Sequence, residues 1–130
     1  CPAAPVARIE AQMGAAALAL HARLGMPLLA MGHSAGGQLA AWLLARLDCV
    51  GAAMPVSGVF WLEPLLDTSL NRALGLDAAA ARAASPGLAP SPGKPLHCVV
   101  GGAESDEFIR QTRDFAAAWA CTAEVLDGLD

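Results

Sequence analysis

The sequence predicts an α/β protein, with a parallel sheet between helices in a three-layer α-β-α stack. Two observations carry this expectation. Four apolar runs of strand length, at 27–31, 50–60, 96–102 and 122–126, alternate with segments whose apolar residues recur at helical spacing. Short buried strands alternating with helices imply parallel pairing, with helices covering both faces. The 130 residues show no internal repeat and no dividing linker, so a single domain is expected.

Each element has its own signal. In residues 3–24, Val6, Ile9, Met13, Ala17, Leu20 and Leu24 fall at helical spacing, and Gly25 and Pro27 end the run. "PLLAM" follows as a strand. Residues 35–47 return to helix, with Leu39, Trp42, Leu43 and Leu47 expected inward. "VGAAMPVSGVF" reads as a buried strand, with a turn at Ser57-Gly58. Residues 62–84 look like short helices broken by Pro64 and Gly75. "SPGLAPSPGKP" has four prolines in eleven residues and must be loop. "LHCVVGG" is a third strand. Phe108, Thr112, Phe115 and Trp119 mark a helix, and "TAEVL" is a weaker fourth strand.

Composition excludes several classes. Hydrophobic residues make up 55% and charged residues 15%, which argues against disorder. The net charge is −4 with no basic stripe, so neither nucleic acid nor an anionic membrane is expected as a partner. No apolar run approaches the roughly 20 residues of a membrane span. The N-terminus lacks the pattern of a signal peptide. Cys1, Cys49, Cys98 and Cys121 are too far apart for a metal knuckle or a CxxC pair. Cys49 and Cys98 are expected as buried thiols, which fits a reducing, cytoplasmic setting. No metal and no cofactor is expected. The oligomeric state, homo-oligomers included, stays open.

The chemistry concentrates at "MGHSAGGQLA". Gly32-His33-Ser34-Ala35-Gly36 matches G-x-S-x-G between a strand and a helix. Such a serine sits at a sharp, strained strand-to-helix turn, and small residues at Gly32 and Gly36 let the helix approach the strand. The turn exposes the hydroxyl and aims N–H groups of the helix start at a developing oxyanion. Ser34 is therefore expected to be a nucleophile. His33, its neighbour on the strained turn, is expected to be structural rather than a base.

A triad acid on such a sheet sits in the loop after a later strand. "GGAESDEF" offers Glu104 and Asp106 there. Asp106 and Glu107 open a helix, where its dipole favours acids, and Ser105 is placed to cap it. Glu104 has no such explanation and is preferred. The base should follow the acid along the chain, yet His21, His33 and His97 all precede Glu104. His97, at the start of its strand, is expected in packing or at the surface. The glycine-rich loop that supplies a second oxyanion donor early in such a fold is also missing. With Cys1 as first residue and an abrupt end after "VLDGLD", these two absences predict a partial domain over 1–130. It would lack the first strands and the C-terminal histidine segment, and would be inactive alone.

At these motifs the chain resembles the α/β-hydrolase superfamily, and within it the kynurenine formamidase (arylformamidase)-like branch near the carboxylesterases. "GHSAGGQLA" resembles the elbow. "VSGVFWLEPLLDTSLNRALGL", followed by "AASP", resembles the segment after the next strand. "VVGGAESDEFIRQTRDFAAAW" resembles the acid-bearing segment. The resemblance implies that Glu104 occupies the acid position, where many relatives carry aspartate. It also implies that the histidine falls shortly after a strand matching "TAEVL". The implied reaction is hydrolysis of an aryl formamide such as N-formylkynurenine, in tryptophan breakdown, with carboxylic ester hydrolysis as the close second. Ser34 would attack the carbonyl, the Ala35 N–H would hold the oxyanion, and Glu104 would orient the histidine. Phe60, Trp61 and residues 62–84 are candidates to line the substrate pocket, with ordinary packing the competing reading. The competing function is a non-catalytic interaction module derived from the fold.

Overall fold

The computed structural model describes residues 5–130. Cys1 and the first two residues of the helix expected at 3–24 lie outside them. In order, the chain forms α1 (Val6–Leu24), β1 (Leu28–His33), α2 (Ala35–Arg46) and β2 (Val50–Val56). After a 3-10 turn at Glu63–Asp67 come the short helices α3 (Asn71–Leu74) and α4 (Ala78–Ala83). A second 3-10 turn, Pro86–Leu88, interrupts the proline-rich loop. Then follow β3 (His97–Gly101), α5 (Asp106–Trp119) and β4 (Thr122–Leu126).

The four strands form one parallel sheet in the order β1-β2-β3-β4. This is the expected α/β architecture. β2 ends at Val56 rather than running to 60, because Ser57 turns into the left-handed region at φ 47°. The β2–β3 ladder is thin. Ala53 donates to the Pro95 carbonyl at 3.1 Å and Ser57 to that of Val99 at 2.7 Å. The donor between them would belong to Pro55, which has no N–H.

The core lies on one face of the sheet. Val50, Ala53 and Cys98 meet Ala40, Ala41 and Leu44 of α2 and Phe115 and Trp119 of α5. Phe60 stacks on Phe115 with ring centroids 3.9 Å apart. The expected cover is therefore present on this face. On the other, Leu29 and Met31 are about two-thirds exposed (66% and 65%) and Met54 and Val99 are half-buried. Among the described helices, α2 and α5 make the main contacts with the sheet.

Two helix faces differ from expectation. In α2 the fully covered residues are Gly37, Gln38, Ala40, Ala41, Leu43 and Leu44, whereas Leu39, Trp42 and Leu47 are half-buried. In α1 the buried positions are Glu10, Gly14 and Ala17. Met13, Leu20 and Leu24 of the apolar stripe are exposed. The buried side of α1 faces α2, where a Cβ on Gly14 would make ordinary contact with the Trp42 ring at 3.8 Å. No described helix is long and apolar enough to cross a membrane.

Glu10 is the one buried carboxylate of this packing. Gln38 donates to its Oε1 at 2.9 Å and to the Ala84 carbonyl at 2.8 Å, which joins α1, α2 and the end of α4. Burial pushes the Glu10 carboxyl above its ordinary range, against the Gln38 hydrogen bond and the Arg46 charge. A raised folded-state pKa means that the native state binds the proton more tightly than the unfolded state. The stability tied to it is complete at low pH and is lost as pH rises through the folded value. Glu10→Gln keeps the oxygen that accepts from Gln38 and removes the charge. It should melt a few degrees higher than the parent near neutral pH, with the gap closing on acidification, as read by thermal melts across pH.

Candidate active site

Ser34 joins the carboxyl end of β1 to α2 with φ 55° and ψ −117°. A serine adopts this strained conformation only where its surroundings impose it. Its N–H donates to the Val56 carbonyl at 2.9 Å, and its carbonyl accepts from Gly37 and Gln38 at 2.9 and 3.1 Å. Ala35 and Gly36, first in α2, have no backbone acceptor among the described residues. Their N–H groups remain free for an oxyanion beside the serine.

Glycines make the turn possible, though not quite the expected pair. A Cβ on Gly32 would lie 2.4 Å from the Gly36 carbonyl oxygen, so Gly32 is required. A Cβ on Gly36 would meet nothing within 4 Å. Gly36 is thus not needed for close approach. The second required glycine is Gly37, whose Cβ would fall 2.8 Å from the Gly58 Cα. Gly32→Ala should destabilise the protein by at least about 2 kcal/mol through overpacking. Gly36→Ala should be neutral or stabilising by up to about 1 kcal/mol through helix propensity. Chemical denaturation of the two variants checks the contrast.

Glu104 lies in the loop between β3 and α5, half-buried. Its Oε1 accepts from the Ser57 hydroxyl and, at 3.4 Å, from the Gly101 N–H. Asp106 is exposed in the first turn of α5. Ser105 holds the N-cap position, but its side chain makes no capping bond. The chain after β4 folds back onto the acid loop. Gly102 donates to the Leu126 carbonyl and Ala103 to that of Leu129, each at 2.8 Å. Gly101 is tight there too, since its Cβ would lie 2.4 Å from the Leu129 oxygen.

None of the three histidines hydrogen-bonds Ser34 or Glu104 among the described residues. His21 Nδ1 pairs with the Met26 carbonyl at 2.8 Å. His97 opens β3 and bonds Thr122 at 2.7 Å and Glu124 at 3.1 Å. Four residue steps at about 3.3 Å each separate it from the carboxyl end of its strand. His33 ends β1, exposed.

Phe60 is fully buried in the stack on Phe115, and Trp61 packs edge-on to Phe115 and over Gly87. Phe60 thus packs in the core, whereas Trp61 stays half-buried at its edge. A small apolar hollow instead lies between Val59, Pro64, Leu65 and Phe108. Spacing alone gave no hint of Gln111. Its Oε1 accepts from the Phe60 and Trp61 N–H groups at 2.7 and 2.9 Å, which ties the segment after β2 to α5.

The expected thiols Cys49 and Cys98 are buried. Cys121, 23 positions from Cys98, brings its Sγ within 3.9 Å of the Cys98 Sγ. Burial pushes the Cys98 thiol far up, so it stays protonated. Among the described residues no group of three or more His, Cys, Asp or Glu side chains is gathered to hold a metal ion.

Four parallel strands alternating with helices, and a serine of positive φ at a strand-helix junction, give an α/β architecture that matches part of α/β-hydrolase structures. No family model matches the sequence. Solved structures do. A candidate thioesterase from Silicibacter sp. TM1040 is 32% identical with a TM-score of 0.89, over 98% of this chain and 52% of that one. Esterase 2 of Thermogutta terrifontis, solved with propionate bound, is 26% identical with a TM-score of 0.73, over 96% and 56%. A puromycin-hydrolyzing peptidase of Mycobacterium tuberculosis, 20% identical with a TM-score of 0.73, shares the fold over 88% of this chain and 20% of its own. The chain thus spans about half the length of the first two relatives. Its structural relatives include esterases, a candidate thioesterase and peptidases.

Proposed function

We propose that this chain carries the nucleophile and the acid of a serine hydrolase that cleaves a carboxylic ester or an aryl formamide through an acyl-enzyme. The observation that carries the reading is the backbone of Ser34, left-handed at φ 55° at the tip of β1 and caged by Gly32 and Gly37. In this mechanism Ser34 Oγ attacks the substrate carbonyl and gives its proton to a base. The Ala35 N–H stabilises the oxyanion. The alcohol or amine leaves with the proton, and water then releases the acid and restores the serine.

Glu104 orients the base. The base in this reading is a histidine outside residues 1–130, since the solved relatives run to about twice this length. Supporting this, the segment after β4 already hydrogen-bonds the acid loop at Ala103. The kinship with an esterase favours esters, and the resemblance of the acid-bearing and post-β2 segments favours an N-formylkynurenine-like formamide. Both substrates present an acyl carbonyl that a serine hydroxyl can attack.

The test uses the product of the complete coding sequence, assayed with an aryl formamide, a short-chain aryl ester and an acyl thioester. Turnover of the formamide above the other two would assign the formamidase branch, and ester preference would assign the esterase reading. Absence of turnover with all three, in a folded protein, would overturn the hydrolase and leave the interaction module.

A further inference from the structure

We infer that Ser57 is a positioning residue for the catalytic acid, an inference that rests on the triad reading above. Three observations converge on it. Ser57 is buried, with 2% of its surface exposed. It holds φ 47°, a left-handed conformation that glycine adopts without strain and serine does not. Its hydroxyl donates to Glu104 Oε1 across the carboxyl ends of β2 and β3.

A turn needing only this backbone would be better served by glycine. The serine hydroxyl therefore earns its place through the carboxylate. With Oε1 engaged by Ser57 and by the Gly101 N–H, Oε2 is the oxygen left to accept from an imidazole N–H. Serine fixes which oxygen faces the base and the plane in which it lies.

The same turn braces the nucleophile. Gly58, next to Ser57, abuts Gly37 in the first turn of α2, and the neighbouring Val56 carbonyl accepts from the Ser34 N–H at 2.9 Å. The end of β2 thus touches both halves of the site. Its backbone holds the elbow and its hydroxyl holds the acid.

Ser57→Gly separates the hydroxyl from the backbone. In the protein made from its complete coding sequence, this variant should melt within a few degrees of the parent, because relief of the left-handed strain offsets the lost hydrogen bond. Its kcat should fall about tenfold to a hundredfold, the scale of one hydrogen bond to a charged group, with KM unchanged. In a Glu104→Ala background the same substitution should cost nothing further, since the hydroxyl acts only through that carboxylate. If Ser57→Gly fails to fold, Ser57→Cys, which keeps the size and weakens the donor, reads the same split. A parental kcat in the substituted protein, while Glu104→Gln is impaired, overturns the positioning role and leaves the triad standing. A parental kcat in Glu104→Gln overturns the triad itself.

Discussion

Ser34→Ala should abolish covalent capture of a fluorophosphonate by the protein made from its complete coding sequence and lower acyl-transfer turnover by about a millionfold, the loss expected when a serine nucleophile is removed. The expectation follows from geometry. The residue stands on a turn of positive φ at the carboxyl end of β1, beside two N–H groups of α2 without a backbone acceptor among the described residues. Alanine keeps the backbone of the turn and deletes only the attacking atom, so the melting temperature should stay near that of the parent. Undiminished labelling in the alanine variant would move the nucleophile elsewhere. Absence of labelling in the folded parent would favour the non-catalytic module.

Glu104→Gln should lower kcat by about 10³ to 10⁴-fold, because an amide offers the base no charge to stabilise its protonated form. Asp106→Asn should stay within about threefold of the parent, since Asp106 is exposed in the first turn of α5, where the helix N-terminus accounts for an acidic residue. Glu104 is the one whose Oε1 is held by Ser57 and Gly101. Steady-state kinetics on the two variants decide between the carboxylates. The opposite order of effects would transfer the role to Asp106.

Strand and helix order could be read because each rests on short-range signals. The period of apolar residues set α2 and α5, and the prolines of 85–95 set a loop. The G-x-S-x-G match located the turn at Ser34 because the whole motif is five consecutive residues. Burial was less legible. Periodicity marks an apolar stripe on α1 but not what lies against it, and the side that packs carries Glu10, Gly14 and Ala17. The glycine requirement shifted in the same way, from Gly36 to Gly37, because the backbone that Gly37 must clear belongs to Gly58, 21 positions away.

By itself, then, the sequence determined the alternating α/β order, the strand-to-helix turn at Ser34 and the choice of Glu104 as the candidate acid, all from contiguous patterns. Only the tertiary structure decided which face of the sheet the helices cover. It also paired Ser57 with Glu104, tied Gln111 to the segment after β2 and brought Cys98 beside Cys121. The physical reason is the same throughout. Backbone conformation answers to near neighbours in the chain, whereas the partner of a side chain is set by where parallel strands bring distant segments together.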